Sequence, residues 1–355
     1  MTKTTLARRK FLGLSASVIA APYILTSPAR AAQRVVVRTP GGHRDEILSE
    51  VAYLPFQKAT GIEIVPVSAP TSKLVAMTKM KQSEVDLVDN GPVSLTMLAN
   101  AGALEPVPYD GFKRTNPNDI DMAHKWEFFV ANSIYASVIG YNTAMFEGRK
   151  PPNSWAEFWD TGAYPGPRSL GSMDANVADL EMALLADGVP MDKLYPLDLE
   201  RAFASLTRIR ASVPKFWESG AMCAQMLASK EVAMTSIWSD RLIPLANQGA
   251  PVALTWNQCR IEQQVYGVMK YGSNPNGAKL FLDYVLSPEV QSKFAEKIAA
   301  IPANNKALDY VPAGLVDPST GKSYMVQQGF YVNAEYWVNN IKTATNEWSK
   351  WTARR

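Results

Sequence analysis

The chain has 355 residues and a formal net charge of +3, because 36 lysines and arginines face 33 acidic residues. This balance excludes the basic surface of a nucleic-acid-binding protein. With only His43 and His124 present, a histidine-rich metal site is excluded, and no zinc-ligand spacing or Gly-x-Ser-x-Gly turn occurs. The residues therefore offer little material for catalysis, although they do not exclude it, and we expect no enzyme, no metal and no cofactor.

Residues 1–32 are typical of an export signal. Arg8 and Arg9 precede an apolar run over 12–25, and Ala29-Arg30-Ala31 has the spacing that a signal peptidase accepts. Paired arginines predict the twin-arginine route and a periplasmic protein. The run falls short of the ~18 apolar residues of a membrane span, although a retained N-terminal anchor is the alternative.

The remaining residues, 33–355, are more than one hydrophobic core usually supports, which favours two lobes. Cys223 and Cys259 are the only cysteines. In an oxidising compartment they could form one disulfide or remain two buried thiols, and the sequence leaves both open.

The first elements of the mature chain predict a β-α-β unit. Val35–Val37 is a β-branched run typical of a buried parallel strand. A helix over Asp45–Ala59 follows, kinked at Pro55 and closed by Gly61, and Ile62–Val67 returns as a strand. Such units build parallel sheets with right-handed crossovers.

The same alternation continues along the chain and predicts an α/β fold. Ser154 followed by Glu157 fits a capping box at a short helix. Further helices are predicted over 74–81, 94–101, 198–212, 275–286, from 288 onward and over 334–355, and strands over 85–88, 133–142, 231–238 and 263–269.

Several short motifs, in order, resemble those of the extracellular solute-binding proteins of ABC importers, and among these the spermidine/putrescine-binding branch. Each motif is weak alone, but their order covers the mature chain. They are Val35 to Gly42, Pro55-Phe56 with Thr60-Gly61-Ile62, Val85 to Val88, Gly140-Tyr141-Asn142, Asn153 to Asp160 with Tyr164-Pro165-Gly166, Trp238-Ser239 and Leu286 to Gln291.

The resemblance implies a periplasmic-binding-protein fold, in which two α/β lobes joined by crossing strands close on a solute in the cleft between them. Crossings are expected near 133–138, 263–267 and 301–304. Lobe 1 then comprises 33–134 plus 266–301, and lobe 2 comprises 135–265 plus 302–355. The partners implied are a small-molecule solute and the permease subunits of an ABC transporter, and we expect a monomer.

Ligands of open α/β sheets bind beyond the carboxyl ends of strands, so the residues at those ends are the candidates. Two of them, Tyr135 and Tyr266, lie on predicted crossing strands and could equally face the core. The candidate ligand-binding residues are Gly41, Gly42, His43, Arg44, Asn90, Tyr135, Asp174, Asn176, Trp238, Asp240, Arg241, Glu262, Gln264 and Tyr266.

A polyamine needs carboxylates for its ammonium groups and aromatic faces for its methylenes. The resemblance assigns these roles to Asp174 and Trp238. Trp238 could instead have only a packing role at the base of the second lobe. Asn90 could bind the ligand or simply form a turn with Gly91.

The chain also departs from the polyamine pattern. The returning crossing strand carries Glu262 and Gln264 where that branch has a tryptophan and an aspartate, and the first turn carries His43 and Arg44 instead of an aromatic and an acid. Arg44 or Arg241 could bind a carboxylate or phosphonate, which makes γ-aminobutyrate or an aminophosphonate the alternative ligand. Both arginines could also be solvated helix-start residues, and an exported cofactor-containing enzyme is the more distant alternative.

Overall fold

The computed structural model describes residues 33–173, 178–312 and 314–354. The predicted export signal, and the candidate residues Asp174 and Asn176, lie outside the described residues. Within the described part, no helix is long and apolar enough to cross a membrane, and no three His, Cys, Asp or Glu side chains are grouped so that they could hold a metal ion.

The strands of the described chain form one sheet in the order β2-β1-β3-β8-β4-β7-β5-β6, with β9 paired to β4 and β10 to β8. The strands are β1 Arg34–Arg38, β2 Glu63–Val67, β3 Leu87–Asn90, β4 Val130–Asn142, β5 Arg168–Gly171, β6 Lys215–Trp217, β7 Met234–Trp238, β8 Val252–Val268, β9 Ile301–Pro302 and β10 Phe330–Tyr331.

The strands alternate with helices along the described chain. The α-helices are α1 His43–Leu48, α2 Leu54–Thr60, α3 Thr71–Lys79, α4 Pro92–Asn100, α5 Trp155–Trp159, α6 Leu180–Ala186, α7 Leu199–Ile209, α8 Gly220–Ala228, α9 Ser239–Asn247, α10 Pro275–Val285, α11 Pro288–Lys297, α12 Tyr324–Gln328 and α13 Ala334–Ala353.

Two long strands divide the sheet into two parallel sets. β1 pairs in parallel with β2 and β3, and β5 pairs in parallel with β6 and β7. Between the sets lie β8, which is antiparallel to β3, and β4, which is antiparallel to both β8 and β7. The mixed α/β architecture predicted from the sequence is therefore confirmed, with β4 and β8 as the strands that join its two ends.

The first helix is interrupted before Pro55 rather than continuous through it. A π-helical turn, Ser49–Tyr53, separates α1 from α2. Proline has no N–H for the helical ladder, so the ladder changes pitch where Pro55 enters. Gly61 ends α2 in the left-handed conformation, with φ at 74°, as the sequence predicts.

Hydrophobic residues form two buried clusters. One packs the β-branched residues of β1 and β3 against α10 and α11, and the other packs tryptophans of α5 and α13, such as Trp155 and Trp337, around α6 and α7. Cys223 and Cys259 are both buried and free. Of the two alternatives left open by the sequence, the structure therefore has two separate thiols.

Candidate functional site

A cleft of about 800 Å³ lies where the carboxyl ends of both parallel sets face each other. It has two walls and a floor, which belong to different parts of the sheet. The first wall is Arg38, Pro40 to Arg44, Pro70, Thr71, Asn90, Gly91 and Ser94; the second wall is Glu218 to Ala221, Ala224, Trp238, Asp240, Arg241 and Leu245; the floor is Tyr135 and Glu262 to Gln264.

Most of the candidate residues line this cleft, at the strand ends where the sequence predicts them. Tyr266 does not: it lies opposite Asp89 in the β3–β8 pair and is fully buried. Of its two possible orientations, its full burial outside the cleft lining corresponds to the core-facing one. The candidates that line the cleft are Gly41, Gly42, His43, Arg44, Asn90, Tyr135, Trp238, Asp240, Arg241, Glu262 and Gln264.

The first wall begins with a glycine turn between β1 and α1. Gly41 and Gly42 have φ values of 78° and 68°, in a region that disfavours side chains. The turn is preceded by Arg38, which donates from Nε to the carbonyl of Ala69 at 3.1 Å and from an Nη atom to that of Asp89 at 2.8 Å. Burial lowers the pKa of Arg38, and its partners are carbonyl dipoles rather than a carboxylate.

Arg44 is held inside the first wall. Its Nε donates to Oδ2 of Asp89 at 3.2 Å, and its Nη atoms donate to Asn132 at 2.8 Å and Ser133 at 3.2 Å. Burial opposes its charge, but the attraction of Asp89 and neighbouring tyrosines still raises the pKa of Arg44. Arg44 is therefore not a solvated helix-start residue; its charge is compensated within the protein. His43, by contrast, is exposed and contacts Glu46 at 3.2 Å.

The second wall presents an acid and a base side by side at the start of α9. Arg241 Nε lies 3.9 Å from Oδ2 of Asp240, too far for a hydrogen bond, and the Arg241 side chain is 29% exposed. Asp240 is 10% exposed, and its Oδ1 has no hydrogen-bond partner in the described part of the chain. Burial raises the pKa of Asp240, opposed by Arg241 and Arg44. Neither charge is therefore compensated by a hydrogen-bonded side chain among the described residues.

Aromatic rings enclose this pair. Trp238 stands edge-on to Trp217, with ring centroids 5.3 Å apart, and edge-on to Tyr135 at 6.3 Å. Trp238 and Tyr135 are half-buried and line the cleft. Aromatic faces of this kind attract an ammonium group and cover methylenes.

Gly220 allows Trp238 and Arg241 to approach α8. A Cβ atom at position 220 would lie 2.9 Å from the Trp238 ring and 3.0 Å from Cγ of Arg241. The first distance is shorter than real Cβ contacts allow and the second is tighter than most, so any other residue would displace Trp238 and press on Arg241. Nothing in the sequence singles out Gly220, because the contact joins elements that are separated along the chain.

The floor is polar, and the side chains of Glu262 and Gln263 are hydrogen-bonded within the protein. Glu262 accepts from Nε of Arg260 at 2.8 Å and from Ser137 Oγ at 3.2 Å. Gln263 is held by the carbonyl of Ala123 at 3.1 Å and by the ring of His124 at 2.8 Å. The floor therefore has fewer free charges than its sequence suggests.

The charges of the lining balance among the described residues. Three side chains are cationic and three are anionic, and His43 is counted as neutral. They are Arg38, Arg44 and Arg241 against Glu218, Asp240 and Glu262. The cleft thus suits a ligand without a large net charge.

Sequence reasoning missed about half of the lining. Arg38 closes a strand that was predicted, so its position after Val37 was a usable signal. The segment from Glu218 to Ala221 follows a three-residue strand that the sequence does not reveal.

Comparison with known proteins agrees with this architecture. Residues 52–318 match the family model described as bacterial extracellular solute-binding protein. A γ-aminobutyric acid-binding protein of Pseudomonas aeruginosa is 26% identical over 329 residues, which cover 91% of this chain and 92% of that protein.

Solved structures give the same result. The GABA receptor Atu4243 superposes with a TM-score of 0.81 at 28% identity, covering 91% of this chain and 98% of that one. An ABC transporter substrate-binding protein from Bradyrhizobium japonicum USDA 110 superposes with a TM-score of 0.79 at 27% identity, covering 90% and 99%. The chain has the periplasmic-binding-protein fold and belongs to the bacterial extracellular solute-binding proteins, which serve ABC transporters by binding a small solute rather than transforming it.

Proposed function

We propose that this chain captures a small zwitterionic ω-amino acid of the γ-aminobutyrate class for its ABC transporter. The observation that carries the proposal is the balanced charge of the cleft, in which Asp240 and Arg241 are the available pair. A polyamine would need an excess of carboxylates, since a buried unpaired cation costs several kcal/mol. Two relatives that are named for GABA support the zwitterion over the polyamine predicted from the resemblance.

The second wall can bind both ends of such a ligand. Consecutive residues of a helix point roughly 100° apart, so Asp240 and Arg241 can reach opposite ends of one short molecule. The ammonium group lies beside Asp240 and Trp238, and the carboxylate accepts two parallel hydrogen bonds from Arg241. The methylenes lie against the aromatic rings.

Transport requires closure of the cleft on this ligand. With lobe limits of 33–134 plus 266–301 and 135–265 plus 302–355, the first wall belongs to one lobe and the second wall to the other. A ligand that contacts both walls shifts the equilibrium toward the closed form by its higher affinity for it. We include in the proposal twin-arginine export, action as a periplasmic monomer and delivery to permease subunits.

Isothermal titration with GABA tests the assignment. Asp240→Asn and Arg241→Gln should each weaken binding by about 30-fold or more, since truncating one partner of a buried charge pair costs about 2–5 kcal/mol. Arg208→Gln, which alters a surface ion pair with Asp187, is the matched control and should bind like the parent protein. A large loss in Asp240→Asn with none in Arg241→Gln would instead indicate a purely cationic ligand.

A further inference from the structure

The floor of the cleft contains a carboxylate that is already paired with an arginine of the protein. Glu262 is in the floor, directly opposite Tyr135 in the β4–β8 pair. Its Oε1 accepts from Arg260 Nε at 2.8 Å and from Ser137 at 3.2 Å, and its side chain is 8% exposed.

The geometry of β8 makes this pairing inherent to the strand. Arg260 and Glu262 are two residues apart, so their side chains leave the same face. Ser137 lies opposite Arg260 in the register of β4, which brings its hydroxyl to the same carboxylate. Glu262 is therefore fixed by its own strand and by the neighbouring one.

Arg260 is also held by two acidic residues other than Glu262. It is 3% exposed, and one Nη atom lies 2.9 Å from Glu181 Oε2 while the other lies 3.8 Å from Asp179 Oδ1. Burial opposes its charge, but Glu262 and Glu181, followed by Asp179, raise the pKa of Arg260 well above its ordinary value. The guanidinium thus remains charged and cannot swing away from Glu262.

The carboxylates of Glu181 and Asp179 accept hydrogen bonds from further donors. Glu181 accepts from Tyr195 at 2.6 Å and from Trp337 Nε1 at 2.7 Å. Asp179 accepts from the backbone N–H of Gly171 at 2.6 Å and from Ser236, and burial raises the pKa of Asp179. These two carboxylates therefore keep hydrogen-bond donors without Arg260. Glu262 has only Arg260 and Ser137 as side-chain donors among the described residues.

We propose that Arg260 is a specificity-determining positioning residue, which pairs with the Glu262 carboxylate and so weakens the floor as a site for a second ammonium group. The floor then adds little to the ammonium site at Asp240, and this disfavours diamines of similar length. This inference rests on the proposed function for the identity of the first ammonium site.

The test measures the ratio of the putrescine Kd to the GABA Kd in four proteins: the parent, Glu262→Gln, Arg260→Gln and the double variant. Arg260→Gln should lower the ratio more than fivefold, because Glu262 becomes free to bind the second ammonium. Adding Glu262→Gln should restore the ratio to within fivefold of the parent. Glu262→Gln alone should leave the ratio within fivefold of the parent, because Arg260 already pairs with the carboxylate that it removes.

A purely structural role for Arg260 would weaken both ligands alike and leave the ratio unchanged, which would overturn the proposal. So would a change of fivefold or more in the ratio on Glu262→Gln alone, and this variant decides the matter if Arg260→Gln does not fold. Failure of the parent protein to bind GABA would defeat the proposed function instead, while the putrescine affinities of the four proteins would still test the role of Arg260.

Discussion

The two walls of the cleft each contain an arginine near an aspartate, and they use them in opposite ways. In the first wall, the Arg44 side chain is 6% exposed and is hydrogen-bonded to Asp89, so its charge is compensated within the protein. In the second wall, Arg241 is 29% exposed and makes only a 3.9 Å contact with Asp240. Under the proposed function, this difference assigns recognition of the ligand's charges to the second wall and makes the first wall a preformed surface that closes over it.

The largest expected effect comes from removing the compensated charge of the first wall. Arg44→Met should reduce the free energy of unfolding by about 3–5 kcal/mol, because Asp89 is left buried without its partner. Chemical denaturation measures this loss. Arg241→Met is the matched control, and its stability should change by less than about 1 kcal/mol. Equal losses in the two variants would remove the distinction between the walls.

Acid should weaken ligand binding through the second wall. Asp240 must be ionised to pair with an ammonium group, and burial raises the pKa of Asp240 in the free protein. Affinity is therefore fully present above this raised pKa and falls as the pH drops through it, by about tenfold per pH unit below it. Titration calorimetry with GABA over a series of pH values measures the fall. Asp240→Asn, which binds more weakly throughout, should lose this dependence; an unchanged dependence would assign it to another group.

The aromatic face of the second wall should contribute less than the charges do. Trp238→Ala should weaken GABA binding by about 3–30-fold, from the loss of about 0.5–2 kcal/mol of cation–π interaction. Trp256→Ala is the control, since Trp256 stacks on Tyr324 outside the cleft. Equal affinity in both variants would mean that Trp238 only supports the second lobe.

The smallest effect should come from Gly220→Ala, which displaces Trp238 and Arg241 without removing either. We expect a GABA affinity that is several-fold lower, at roughly 1 kcal/mol of strain. In Gly111→Ala, the matched control, the new methyl group meets only a Pro108 carbon at 3.7 Å, so affinity should not change. Parent-like affinity in Gly220→Ala would show that the two side chains can move without consequence.

The fold was largely predictable because its strands and helices have strong periodic patterns. The β-branched run of β1 and the spaced apolar residues of α10 were both placed within a few residues. Short strands such as Lys215–Trp217 were missed, since three residues carry no periodicity. β8 begins eleven residues before the predicted strand, because its first half mixes apolar and polar residues without alternation and is mostly only half-buried.

The site was predictable only as a set of positions. Strand ends identified about half of the lining, since ligands bind there in open α/β sheets. Which charges remain free was not predictable, because compensation depends on pairs distant in sequence. Arg44 and Asp89 are 45 residues apart, and Arg260 and Glu181 are 79 apart. The polyamine prediction came from the resemblance of short motifs, which carries no information on which charges remain free.

The central claim is that the second wall binds one positive and one negative group of the same ligand. The most direct measurement compares the affinities of the parent protein for GABA, butyrate, butylamine and putrescine by titration calorimetry under one buffer condition. We predict that GABA binds at least about 30-fold more tightly than each of the other three, because each lacks one of the two charges or replaces it with its opposite. Putrescine or butylamine binding as tightly as GABA would contradict the claim.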